Sequence, residues 1–128
     1  MLPNFPWLLV GGLLVAINAS ALNILVIGDS DKSTQPYVEL AYSGCPSAIA
    51  AYGNSATDTC TWKYKTATSD AGYAANLREY LNSDYDHFVL ISSKYGKQLP
   101  AVIADFPNAK ITSSSVSFPT TPLYKNVQ

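Results

Sequence analysis

The sequence is poor in the residues on which most chemistry depends. It has one histidine, His87, and two cysteines, Cys45 and Cys60, in 128 residues. A structural zinc site needs four ligands of these kinds, so the three present do not make one. Charged residues are 13% of the chain, the formal net charge is -1, and the lysines and arginine are scattered. That excludes the basic stripe by which proteins hold nucleic acid. Hydrophobic content of 48% excludes a disordered chain, and the length suits one domain with a core of its own.

Charge is missing altogether before Asp29. Within that stretch Leu8 to Ile17, LLVGGLLVAI, is apolar but well short of the ~20 residues a spanning helix needs. Ala19-Ser20-Ala21 follows with the small-x-small pattern of a signal-peptidase site. Residues 1–21 are therefore read as a secretory signal and 22–128 as the mature domain, on the secreted or cell-surface side. The segment ahead of the apolar run lacks lysine and arginine, so a buried first strand or an uncleaved anchor is the alternative. No cysteine directly follows the apolar run to carry a lipid anchor. In an oxidising compartment Cys45 and Cys60 are expected to pair across a short loop; otherwise they stand as buried thiols.

What the chain does have is alternation. Asn23 to Ile27 is short, apolar and closed by Gly28, a buried strand. Pro36 suits the first turn of a helix in which Val38, Leu40, Ala41, Ala48 and Ile49 recur, and Pro46 is expected to kink or divide it before Gly53-Asn54. Thr61 to Thr66 alternates Trp62 and Tyr64 with Lys63 and Lys65, an edge strand with one wet face. Ser69 or Asp70 caps a helix that turns Tyr73, Ala74, Leu77, Tyr80 and Leu81 inward. Asp86 to Ser92 is a buried strand, Tyr95 to Phe106 a helix, Lys110 to Ser114 a last strand, and Phe118 to Pro122 an extended tail. This β-α-β-α-β-α-β order predicts an α/β fold, a three-layer parallel sheet with helices on both faces and strand order 2-1-3-4. Ligands on such sheets bind beyond the carboxyl ends of the strands at the switch point, here the loops Gly28 to Gln35 and Ser92 to Gly96.

Gly28-Asp29-Ser30 after a strand also suits a GDSL-type serine esterase with Ser30 as nucleophile. Asp84-Tyr85-Asp86-His87 has the Asp-x-x-His spacing such an enzyme needs. In a parallel sheet, however, Ser30 follows the carboxyl end of the first strand and His87 opens the third. Six strand residues separate them by roughly 20 Å, whereas a general base works within about 3 Å. His87 is better read as a strand-edge residue. Asp29, Ser30, Asp31 and Ser33 also suit plain loop and helix-cap roles.

Several motifs occur in a shared order: Asp31-Lys32-Ser33, then Ser69-Asp70-x-x-Tyr73-x-x-Asn76-Leu77-Arg78, Tyr85-Asp86 before an apolar strand, and Phe106-Pro107-Asn108-Ala109-Lys110. In that order, across residues 23–127, the chain resembles the basic membrane protein family, the PnrA-like substrate-binding proteins of ABC transporters. The resemblance implies one lobe of a type I periplasmic-binding protein, with a purine nucleoside held in the cleft between two lobes. The family runs to about twice this length, so the chain is expected to be an incomplete lobe, a truncated copy or a gene fragment. It implies a small-molecule ligand, a membrane transporter or receptor as partner, no cofactor and no enzymatic activity. The implied ligand residues are Asp31, Ser33, Thr34, Gln35, Ser92, Ser93 and Tyr95. The departures point to weakened binding. Thr34 stands where the family stacks an aromatic ring, and Gln35 where it has Asn. Tyr95 is the candidate for a displaced ring, and Ser113, Ser114 and Ser115 replace an acidic residue near the sugar. The alternatives are the Ser30 esterase and a non-binding interaction module.

The signal reading is directly testable. N-terminal sequencing of secreted protein is expected to begin at Leu22; recovery of intact Met1 from the medium would contradict it.

Overall fold

The computed structural model describes residues 20–114. The expected signal up to Asn18-Ala19 and the Pro-rich tail from Phe118 lie outside them. Four strands, β1 (Asn23–Gly28), β2 (Thr59–Tyr64), β3 (His87–Leu90) and β4 (Ile111–Ser113), form one sheet. Every pairing is parallel and the order is β2-β1-β3-β4, as the alternating sequence predicts. The connections are helices α1 (Pro36–Tyr52), α2 (Asp70–Leu81) and α3 (Ser93–Val102).

Residue alternation along β1 assigns the helices to faces. Leu25 and Ile27 join the larger core, with Tyr73 and Leu77 of α2, Tyr95, Leu99 and Val102 of α3, and Phe88, Leu90 and Ile111 of the neighbouring strands. Val26 and Ile24 point the other way, into a small cluster with Val38, Tyr42 and Cys45 of α1, Trp62, Val89 and Ile91. Helices therefore cover both faces, two on one side and one on the other. Each fully buried Leu or Ile contributes about 1.5–3 kcal/mol, so the face under α2 and α3 carries most of the stability. On the α1 side Gly28 is required by a neighbour: a Cβ there would overlap the Trp62 ring.

Element boundaries differ from the sequence reading where side chains compete for the backbone. β2 starts two residues early, because it pairs with all of β1 from Asn23 opposite Thr59 to Gly28 opposite Tyr64. The Asp58 carboxylate fixes that start by accepting from the Leu22 and Asn54 amides at 2.9 and 2.8 Å. Lys65 and Thr66 leave the ladder, the Lys65 carbonyl accepting the Tyr95 hydroxyl and the Thr66 hydroxyl donating to Asp29. α3 starts at Ser93 rather than Tyr95, since Ser92 caps it by accepting from the Lys94 amide at 3.2 Å. It passes into a 3-10 turn at Ile103–Asp105 before Phe106.

Pro46 does not divide α1, one of the two outcomes expected of it; the helix runs through it to Tyr52. Proline removes one amide donor and crowds the preceding turn. One tie holds the helix beside the proline: the adjacent Cys45 is joined by a disulfide to Cys60 of β2. The disulfide fastens the middle of α1 to the edge strand over the thinner of the two cores.

Closing a loop with a sequence separation of 15 stabilises a fold by about 3 kcal/mol in the chain-entropy account. The Cys45→Ser/Cys60→Ser protein is expected to lose about that much in urea unfolding. Thiol titration of denatured, unreduced wild type is expected to find none; two thiols per chain would refute the bridge.

Candidate functional site

The switch point lies where β1 and β3 part, and the residues after them meet there. Gly28 ends β1 and turns Asp29 toward the first turn of α3. Lys94 Nζ sits 2.8 Å from Asp29 Oδ2, and the Asp29 side chain is only 12% exposed. The ammonium also lies 5.7 Å from the centroid of the Tyr73 ring. Thr66, just past β2, donates its hydroxyl to the Asp29 carbonyl at 2.7 Å. Asp29 thus ties together the segments that follow three of the four strands.

Burial pushes the Asp29 carboxyl up, but hydrogen bonds from Lys94 and Ser92 and the Lys94 charge outweigh it, leaving the group below its usual 3.8. Lys94 is raised in turn by its bond to Asp29. From the sequence Asp29 has only a loop or cap role, and Lys94 is one unmarked residue of the Ser92 to Gly96 loop. The signal was present: an acid directly after a buried strand and a base one residue into the helix that follows its parallel neighbour must come close when those strands pair.

The residues expected to bind ligand divide into two groups. Asp31 accepts from the Ser33 amide and hydroxyl, both at 3.0 Å, and Thr34 donates to the Asp31 carbonyl at 2.7 Å. These three shape a 3-10 turn, Lys32–Thr34. Local bonds from Ser33 hold the Asp31 carboxyl below its usual value. Ser92 is buried beneath α3 as its cap. Gln35 and Ser93 remain. Gln35 precedes Pro36 and makes no side-chain capping bond, and Ser93 is exposed at the first position of α3.

Tyr95 does not supply a ligand-facing ring, and that expectation is corrected. It is 0% exposed, edge-on to Tyr73 and Tyr80 with centroids 5.1 and 5.9 Å away. Its hydroxyl donates to the Lys65 carbonyl at 2.7 Å. Desolvation accordingly raises its pKa, and burial pushes that of the neighbouring Tyr80 beyond the usual phenol range. The cause is helical geometry: Tyr95, Leu99 and Val102 recur at three- and four-residue spacing on the face that packs against the sheet.

Ser30 and His87 are not brought together. His87 pairs in register with Ile24, six residues before Ser30, and its Nε2 lies 2.8 Å from the Thr112 hydroxyl. Desolvation and then Lys110 lower the His87 pKa. The Ser30 hydroxyl is itself buried, with no hydrogen-bond partner among the described residues. Two grooves open elsewhere, one of about 430 Å³ beside Trp62, Lys65 and Tyr80 and one of about 330 Å³ beside Phe88 and Phe106. Neither is lined by a residue expected to bind ligand, although the second is lined by Phe106 to Ala109, one of the motifs that carry the family resemblance.

The Asp29–Lys94 pair sets a pH dependence with a definite sign. A carboxyl whose folded pKa is depressed stabilises the fold above its unfolded value, near 3.8, and loses that contribution as pH falls through the folded value. Stability of the wild type is expected to fall more steeply on acidification below about pH 4 than that of Asp29→Asn, measured by urea unfolding at a series of pH values. Parallel curves would remove the pair from any stabilising role.

With this geometry in place, comparison with known proteins adds nothing further: no family model matches the chain, and neither a curated protein nor a solved structure does.

Proposed function

We propose that the chain is a small-molecule-binding lobe, reading a polar, hydroxyl-rich ligand of the nucleoside class weakly at the carboxyl edge between β1 and β3. The observation that carries this reading is the placement of the Asp29–Lys94 pair at the switch point of a parallel sheet, with Ser93 next to Lys94 and Gln35 six residues after Asp29 on the loop that follows β1. That is where ligands of open α/β sheets sit. The Gln35 amide offers a donor and an acceptor to a sugar hydroxyl or a base edge, and Lys94 offers a cation. The resemblance to PnrA-like receptors supports the nucleoside class. It also suggests delivery to a membrane transporter or receptor on the secreted side. Among the described residues no helix is long and apolar enough to cross a membrane.

Weak binding follows from what the site no longer offers. Thr34 cannot stack on a base, Tyr95 is inside the core, and Asp31 and Ser33 are engaged with their own turn. Loss of one aromatic–base stack costs about 1–3 kcal/mol. That engagement of Asp31, Ser33, Thr34 and Ser92 in local caps also favours a second reading, a lobe that has lost its ligand and serves as an interaction module.

Titration calorimetry with inosine, guanosine and adenosine distinguishes the two. A dissociation constant of about 1 mM or weaker is expected, abolished by Gln35→Ala or Lys94→Met and unchanged in Ser30→Ala. No heat with any ligand would leave the interaction module. A sub-micromolar constant would overturn weak binding, and hydrolysis of a nitrophenyl ester that vanishes in Ser30→Ala would make the protein an esterase.

A further inference from the structure

Two carboxylates converge on the amino end of β1. Register sets Asp58, the residue before β2, beside Leu22, and Asp86, the residue before β3, beside Asn23. Asp58 Oδ1 accepts from the Leu22 amide at 2.9 Å, and Asp86 Oδ2 accepts from the Asn23 amide at 2.7 Å. Neither carboxylate is in an ion pair among the described residues. Asp58 is set in place by its own turn. Its Oδ2 accepts from the Asn54 amide at 2.8 Å, and a Cβ on Gly53 would lie 2.7 Å from that oxygen. Bonds from the Asn54 and Leu22 amides hold the Asp58 carboxyl below its usual 3.8, so it is charged at neutral pH.

Leu22 is also the residue that the Ala19-Ser20-Ala21 pattern makes the first of a processed chain. Ser20, Ala21 and Leu22 are exposed and belong to no helix or strand, so the Ala21–Leu22 bond is open to a peptidase. Cutting it removes nothing that holds β1. The Leu22 nitrogen at Asp58, and the Leu22 carbonyl that accepts from the Thr59 amide at 2.9 Å, both stay with the sheet.

We infer that Asp58 is the seat of the chain's own processed amino terminus: cleavage after Ala21 turns the Leu22–Asp58 hydrogen bond into an ion pair that fastens β1 to β2. Hydrolysis breaks the bond from the Ala21 carbonyl carbon to the Leu22 nitrogen. Water gives its hydroxyl to that carbon and a proton to the nitrogen. The proton of the new carboxylic acid passes to the amine, leaving an Ala21 carboxylate on the leader and an ammonium on Leu22. A charged donor makes a hydrogen bond roughly twice as strong as a neutral one. Exposed ion pairs are weak partly because both side chains must be ordered. Here the acid is already held by Asn54 and the amine by the backbone of β1. The titratable groups facing this position are Asp58 on the β2 side and Asp86 and His87 on the β3 side. Desolvation and then Lys110 lower His87, so the two acids dominate and favour a cation between them.

The inference rests on the signal reading, and one experiment separates the two. The protein secreted from the full-length gene is sequenced from its amino terminus. The Leu22 amine is then titrated through the pH dependence of its acetylation, read by mass spectrometry on the amino-terminal tryptic peptide. It is expected to titrate above about 8.5, against the ordinary ~7.7–8.0, and to return to the ordinary value in urea. Asp58→Asn is expected to abolish the rise. Asp70→Asn, at the other edge of the sheet, is expected to leave it, and near-ultraviolet circular dichroism checks both folds. An amine with a raised pKa stabilises the fold below its unfolded value and loses that contribution as pH rises through the folded one. The folded-to-unfolded ratio of the processed chain is therefore expected to fall about threefold further between about pH 7 and pH 10 than that of Asp58→Asn. An ordinary amine in the folded wild type overturns the ion pair, as does a rise that survives Asp58→Asn. A secreted chain that starts elsewhere than Leu22 overturns the signal reading and the inference with it.

Discussion

Strand β1 has to satisfy two edges and two faces at once, and the rest of the domain is arranged to let it. Both of its edges carry parallel ladders, to β2 and to β3. Both of its faces are buried, Leu25 and Ile27 under α2 and α3, Val26 under α1. A strand in that position tolerates neither polar side chains nor unpaired amides. The first polar side chains after it, Asp29 and Ser30, appear only where the sheet ends, which places them at the switch point. The site is therefore a by-product of the same constraint that builds the core.

Beyond the end of β1 the polar residues turn mostly to local work. Asp31, Ser33 and Thr34 close a single turn and Ser92 caps a helix. Asp29 and Lys94 differ from these, because they join two segments that meet only after the parallel strands are paired. An interaction between partners distant in sequence, at the place where ligands enter such folds, is the feature that separates a candidate site here from an ordinary loop. The opposite end of the sheet shows the ordinary case. There Asp58 and Asp86 accept from the Leu22 and Asn23 amides and simply fix the entry of β1.

Sheet order and the faces of the helices were legible in the sequence because they follow from periodicity and from the handedness of crossovers. The runs Ile24–Ile27 and Phe88–Ile91 are uniformly apolar, and Tyr73, Leu77, Tyr80 and Leu81 mark one side of α2. Boundaries were less legible. The start of β2 depends on the Asp58 carboxylate and the start of α3 on the Ser92 cap, single contacts that leave no periodic trace. Pro46 does not divide α1, and the covalent tie at the adjacent Cys45 is a constraint that no proline rule includes. The role of Tyr95 was obscured by its position in a loop of interest, although its spacing to Leu99 and Val102 already placed it on a core face. Asp29–Lys94 was hidden because a pair distant in sequence becomes visible only when two predicted strands are laid side by side.

The position of the Cys45–Cys60 bridge bears on the order in which the chain can assemble. Its two halves lie in α1 and in the strand directly after it, and both contribute to the β1-α1-β2 unit. The bridge and the β1–β2 ladder beside it involve no residue of β3 or β4. During synthesis the N-terminal part of a chain emerges first, and short loops close at little entropic cost. The bridge can therefore be made while the strands that finish the sheet are still to come, fixing α1 over β1 and β2 as a preformed edge onto which β3 and then β4 add. The larger core under α2 and α3 joins residues from Leu25 to Ile111 and so can close only after the last strand is made, without covalent help.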